Sequence, residues 1–340
     1  MSVNAVDKER INDLVSALVI ATPERFKSID CIVQQVKNQC SGRYTYKITS
    51  KDFPNEVITE PTEQLHTAAY EAISAVGAEW LEVKMVEKNG GWSFSFDTSR
   101  LDNEDAKEKQ KAHDDEVWQR VYDEREAFFE KSFGSIPTDI QKLMTVLWPG
   151  GGIFDFEKSS ISGKRVLVTC GLSNPDMPSG AKVAEFERVD SKDGNKTFNT
   201  KLVRTIPRYV PPEQAGFGYE VAVIANSSDN RATGVLTWIV EGELNHDGDY
   251  FGLLQRYGGL TVQDMGLFDG SKSDFLFYKA MDPIPSSVQL SSGLMQLVIA
   301  TNITRRERDF AKEQGCSELV KRLMEAGVRQ VTDFNRPSVV

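Results

Sequence analysis

Histidine is scarce in this chain of 340 residues: only His66, His113 and His246 occur, each isolated and none at metal-ligand spacing from another. The commonest metal ligand and general base is therefore missing from most conceivable sites, and the three are read as surface or structural residues. Cysteine is scarce too. Cys31, Cys40, Cys170 and Cys316 form no C-x-x-C pair, which argues against a zinc ribbon or a disulfide framework and suits a reducing cytosol. No apolar run reaches the ~18 residues needed to span a bilayer, and the opening MSVNAVDKER lacks the apolar stretch of a signal peptide. Positive charge is in deficit as well: the net charge of −10 opposes a phosphate backbone. A cytoplasmic protein with no membrane partner and no direct nucleic-acid partner is expected.

The familiar chemical signatures are absent. Gly216 and Gly218 form a G-x-G, but the strand-like EVAVI follows where a dinucleotide fingerprint needs a helix N-terminus, so close backbone approach at a strand start is the better reading. Gly163-Lys164 is followed by Arg165 and preceded by no glycine at P-loop spacing. Glu243, Asn245, Asp247 and Gly248 imitate the start of a calcium loop, yet its twelfth position is Leu254, which has no carboxylate to offer. Cys170 has no activating base nearby in sequence, and no G-x-S-x-G elbow occurs. No catalytic residue, metal or cofactor is expected. An enzyme built from scattered carboxylates and Cys170 stays open as an alternative.

What is present reads as a folded two-domain chain. Hydrophobic residues at 40% and charged residues at 26% are near globular averages, and the length accommodates two cores. Residues 1–135 carry a net −8 and residues 136–340 a net −2, so the acidity is concentrated at the N-terminal end.

Apolar residues at helical spacing predict a helix over residues 7–22 and another from Pro61 through Leu65, Ala69, Ile73 and Val76. Alternation predicts hairpins over 43–59 and 80–96, the second turning at Asn89, Gly90 and Gly91. The charged stretch 102–133 predicts a long helix, with its acidic side read first as a solvated face and second as a mimic of nucleic acid toward a basic partner. The domain boundary is expected near residue 135. Thr138 and Gln141 predict a short helix to Leu147, and Gly150 to Gly152 a flexible joint. Strands are expected at 165–170, 183–189, 198–204, 259–263, 274–278 and 294–300, together with GFGYEVAVI and a helix through Leu236, Ile239 and Val240. Thr304 and Glu307 form a capping box, and Gly315 and Gly327 close two final helices before an extended end.

Four stretches in order, TCGLSNPDMP (169–178), GFGYEVAV (216–223), ITRRERDFAKEQG (303–315) and VTDFNRPSV (331–339), resemble the suppressor-of-fused domain over about residues 136–340. Cys170 departs from the family, which usually places an aromatic residue before the Gly-Leu-Ser. Residues 1–135 are similar to YezG-type immunity proteins, with helices around hairpins and the aromatic strand GWSFSFD. The resemblance implies a mixed α/β fold: a small N-terminal α+β domain (1–135), then a larger mixed-sheet domain flanked by helices (136–340). It also implies a non-enzymatic protein-binding module that, in bacteria, neutralises a toxin such as a nuclease. The absence of animal-type extensions favours that role over sequestration of a regulatory protein.

In animal relatives the loop after Gly-Leu-Ser lies near the peptide-binding groove, which implies Ser173 and Asp176 as partner-facing residues. Charge and placement add Glu220, Asp247 and Asp249 as partner-binding candidates. Reversing Asp176 to arginine is expected to weaken partner binding without disturbing the fold.

Overall fold

A computed structural model describes residues 5–340 apart from 24, 39–40, 53–56, 59–61, 78–79, 89–90, 99–103, 162, 191–195, 207, 212, 227–230 and 268–269. It is a mixed α/β chain in two compact units, Met1–Glu116 with Thr205–Pro211, and Val117–Arg204 with Pro212–Val340.

The first unit contains helix α1 (Ala5–Ala21), strands β1 (Ser28–Asn38), β2 (Ser41–Thr49) and β3 (Val57–Ile58), helix α2 (Glu63–Val76), and strands β4 (Trp80–Lys88) and β5 (Gly91–Asp97). Its sheet is antiparallel in the order β3-β2-β1-β4-β5. Leu14 and Leu18 of α1 and Leu65, Ala69 and Ile73 of α2 pack on Ile29, Cys31, Val33, Leu81, Val83 and Met85, so both helices cover one face. Thr62 caps α2 by accepting the Leu65 N–H at 3.1 Å, and Gly77 ends it in the left-handed region at φ 63°. Pro61 and the turns expected at 53–55 and 89–90 lie outside the described residues. The central strand β1 was not anticipated, although Ile29, Cys31 and Val33 alternate as a half-buried strand requires.

Helix α3 (Glu104–Phe133) is the long helix that the charged stretch predicts, and the division between the two compact units falls inside it, at Glu116 and Val117. The reason is its last turns: Val121, Phe128, Phe129 and Phe133 are core residues of the second unit.

The second unit continues through β6 (Ile140–Gln141), β7 (Gly152–Phe156), β8 (Lys164–Cys170), β9 (Ala181–Asp190), β10 (Lys196–Arg204), β11 (Gln214–Asn226), α4 (Ala232–His246) and α5 (Tyr250–Tyr257). It closes with β12 (Leu260–Gly266), β13 (Lys272–Lys279), β14 (Ser287–Leu290), β15 (Gly293–Ile303), α6 (Arg305–Gln314), α7 (Cys316–Glu325) and β16 (Val331–Thr332). The large sheet runs β12-β13-β15-β11-β8-β7-β6, with β14 on β15 and β16 on β11, while β9 and β10 form a separate ribbon. β11 runs parallel to β15 and β16 and antiparallel to β8.

Residues 215–225 of β11 are buried on both faces. Phe217, Tyr219, Val221 and Val223 meet α4 and α5, whereas Ala222 and Ile224 share a core with α3, α6 and α7. Two covered faces explain why this strand reads as a near-continuous apolar run.

Two local expectations are corrected. Residues 138–147 form no helix: Ile140 and Gln141 instead pair with Phe154 and Ile153, and the side chain of Ile140 lies over Gly152. The glycines expected to be a flexible joint are buried at 151 and 152, where a Cβ would meet Trp148 at 2.3 Å and Ile140 at 2.4 Å. Their role is close packing.

Candidate functional site

Residues 171–180, GLSNPDMPSG, follow β8 and are all buried. Their proline, asparagine and aspartate mark a turn, and turns usually lie on the surface. This one is drawn into the core by Glu220, which β11 places on the face it shares with α3. The Glu220 carboxylate accepts four hydrogen bonds. Oε1 takes the N–H groups of Gly171 (2.8 Å) and Ser173 (2.9 Å) and the Ser173 hydroxyl (2.6 Å), and Oε2 takes the Thr169 hydroxyl (2.7 Å). Thr169 Oγ1 in turn accepts the Val221 N–H at 2.8 Å.

Arg125 arrives from α3, one turn after Val121 and one before Phe129. Its Nη1 donates to Ser173 Oγ at 3.0 Å and Asn174 Oδ1 at 2.7 Å and stands 3.7 Å from Glu220 Oε1. Burial opposes its charge, the Glu220 carboxylate beside it favours it, and the net effect raises its pKa above the ordinary value. Its Nε and Nη2 make no hydrogen bond, while the ring of Tyr122 lies 5.3 Å from the guanidinium carbon. A charge pair this deep persists because nearly every lone pair of the carboxylate is used.

The opposite side of the loop rests on β11. Gly216 adopts φ 56°, and a Cβ there would stand 2.5 Å from the Leu172 carbonyl oxygen and 2.7 Å from that of Asn174. Phe217 N–H donates to the same Leu172 oxygen at 2.8 Å. The G-x-G is thus a seat for the loop backbone, in keeping with close approach at a strand start.

Cys170 closes the group. Burial pushes its thiol up to about 12, and it belongs to the core shared with α3. A nucleophile needs the thiolate and an approach route, and this residue has neither. Among the described residues no group of three or more His, Cys, Asp or Glu side chains could hold a metal ion.

Three of the five partner-facing candidates lie in the interior. Ser173, Asp176 and Glu220 have no exposed surface, so in this conformation they cannot touch a partner. Asp176 in particular cannot take an arginine in its place without rearranging the core. Asp247 and Asp249 are exposed at the corner between α4 and α5, both in the left-handed region at φ 50° and 45°. Asp247 pairs with Lys182 of β9, and its side chain keeps 64% of its surface. Just inside this corner Glu243 is buried and accepts the Tyr219 hydroxyl (2.8 Å) and the Tyr250 N–H (2.9 Å), which fixes α4 to α5.

Arg125 was missed in the sequence. Its signal was position: an arginine on the apolar stripe of Val121, Phe128 and Phe129.

The sequence matches the family model of the suppressor of fused protein (SUFU) over residues 152–337. No curated protein matches the chain in sequence. Among solved structures, the Sufu–Fu complex is similar at 14% identity and a TM-score of 0.40, covering 66% of this chain and 92% of that one. A SUFU homolog from Neisseria gonorrhoeae FA 1090 is similar at 16% identity and 0.39, covering 66% and 97%. Drosophila Suppressor of Fused gives 13% identity and 0.37, covering 66% and 51%. Among the described residues no helix is long and apolar enough to cross a membrane.

Proposed function

The chain belongs to the suppressor of fused family, matched over residues 152–337, and from that premise we propose that it is a non-enzymatic protein-binding module of bacterial immunity type, which sequesters a basic toxin such as a nuclease. One observation carries this reading: the polar residues of the family motif are consumed internally. Glu220 spends its carboxylate on four donors, Arg125 is held beneath the loop, and the Cys170 thiol is buried and protonated. Groups so committed build a scaffold, and recognition falls to the outer surface.

The exposed carboxylates Asp247 and Asp249 at the corner are the partner-binding candidates, and Asp123 and Glu130 of α3 in the same unit are exposed as well. Carboxylates in solvent speed encounter with a cationic partner and exclude anionic ones. The helix-and-hairpin architecture of the first unit supports an immunity-type reading of residues 1–135. A toxin encoded beside the gene should co-purify with the chain in a fixed ratio. If the native host yields no stoichiometric partner and no neighbouring toxin is inhibited, the proposal fails.

A further inference from the structure

β5 stands at one end of the first unit's sheet, with its register to β4 unbroken from Glu82↔Asp97 to Lys88↔Gly91. An edge strand presents a row of N–H and C=O groups to solvent, and proteins usually blunt it with a lysine, a proline, a bulge or an inward charge. Here the stretch between Gly91 and Asp97 is Trp-Ser-Phe-Ser-Phe, which contains none of these. Gly91, Ser93, Phe94, Ser95 and Asp97 are exposed, and Trp92 and Phe96 are half-buried. Among the described residues β4 is the strand that pairs with it.

The side chains are arranged in rows. Phe94 and Phe96 lie opposite Met85 and Val83, both buried under α1 and α2, so the aromatic row continues the helix-covered face to the rim of the sheet. There it meets solvent, and Phe94 keeps 38% of its surface.

We propose that this edge joins two copies of the chain, β5 to β5, antiparallel about a twofold axis normal to the sheet with Phe94 opposite itself. The sequence is self-complementary in that register: Trp92 faces Phe96, Ser93 faces Ser95 and Gly91 faces Asp97, so no two like charges meet. A slip of one residue sets serine against phenylalanine and puts the helix layers on opposite sides of the sheet. A slip of two leaves an aromatic residue of each copy unpaired. The symmetric register alone joins both aromatic rows into one strip under two helix layers. A seven-residue edge is short for a stable interface, so the dimer is weak and forms as concentration rises.

Sedimentation equilibrium of the full chain tests this. The wild type is expected to pass from monomer to dimer in the micromolar range. Phe94→Lys and Phe94→Glu each place like charges on the axis and should weaken dimerisation at least about tenfold. An equimolar mixture of the two should restore a dimer. Ser95→Lys, on the opposite face, should also weaken it and carries the test if far-UV circular dichroism shows that either Phe94 variant fails to fold. A wild type that stays monomeric at every concentration overturns the proposal, including the case where an extended segment of another protein occupies the edge. So does a dimer indifferent to Ser95→Lys, or two folded Phe94 variants whose mixture stays monomeric.

Discussion

Arg125 Nη1 and Glu220 Oε1 are 3.7 Å apart with neither side chain reaching solvent, and the loop of residues 171–180 is folded around that pair. The two partners are not equivalent. Glu220 accepts four hydrogen bonds, whereas Arg125 donates to Ser173 and Asn174. Removing one member of a buried pair costs about 3–5 kcal/mol, and Glu220→Ala should lie at the upper end because it also orphans two backbone N–H groups. Arg125→Met should lie at or below the lower end. Urea unfolding of both variants and of the double variant reads the order, and equal losses would contradict it.

The seat under the same loop gives a second outcome. Gly216→Ala forces an L side chain into φ 56° and drives its Cβ into the Leu172 carbonyl, so stability should fall by about 2 kcal/mol or more. Gly163→Ala, at φ 68° with nothing within 4 Å, bears only the backbone strain and should cost less. Melting temperatures of the two variants measure the difference, which is the contribution of the loop contact.

The C-terminal segment should loosen in acid. Glu307 accepts from Arg336 Nη1 (2.6 Å) and Nη2 (2.8 Å) and from the N–H groups of Thr304 (2.8 Å) and Val339 (2.9 Å). Burial alone would raise its pKa, but these donors outweigh it and hold the carboxyl below its ordinary value. A lowered native pKa gives stability that is present above the unfolded value of about 4.3 and is lost as pH falls through the native one. The protection of amides in residues 331–340, measured against their intrinsic exchange rates, should therefore fall as the pH drops below the ordinary glutamate range, and Arg336→Gln should flatten that dependence.

Thiol chemistry separates a scaffold from a nucleophile. Burial pushes Cys31 and Cys170 each up to about 12, so neither should react with an aromatic disulfide reagent at pH 8 until the chain is unfolded. Rapid native modification of Cys170, located by peptide mapping, would contradict its place in the core.

Much of this fold was legible because local signals agreed with tertiary ones. The capping box of Thr304 and Glu307 is formed at the start of α6, and Gly315 ends that helix. The β4–β5 and β9–β10 hairpins and the α4 helix lie where periodicity put them. The failures came where distant residues decide. Residues 138–147 contain good helix formers, but the β7 edge captures Ile140 and Gln141. NPDMP reads as a surface turn until Glu220, forty-odd residues away, supplies acceptors for the loop's donors and makes burial affordable. A glutamate inside GFGYEVAVI and an arginine on the apolar stripe of α3 were the visible traces of that pair, and each makes sense only beside the other.

The corner between α4 and α5 carries the remaining prediction. Asp247→Arg with Asp249→Arg should weaken partner binding about tenfold through lost steering and new repulsion, with a fall in melting temperature limited to the lost Lys182 pair and the left-handed backbone at both positions. Surface plasmon resonance at two salt concentrations checks it. Loss concentrated in the association rate and reduced by salt is expected, and unchanged binding would move the contact elsewhere.

The most direct test of the central claim is a titration of the purified chain into the purified neighbouring toxin, with toxin activity followed alongside calorimetric binding. The account predicts inhibition that saturates at a fixed stoichiometric ratio and tracks complex formation. Neutralisation by substoichiometric amounts of the chain would reveal an enzyme, and full toxin activity in excess chain would remove the immunity role; either result contradicts the proposal.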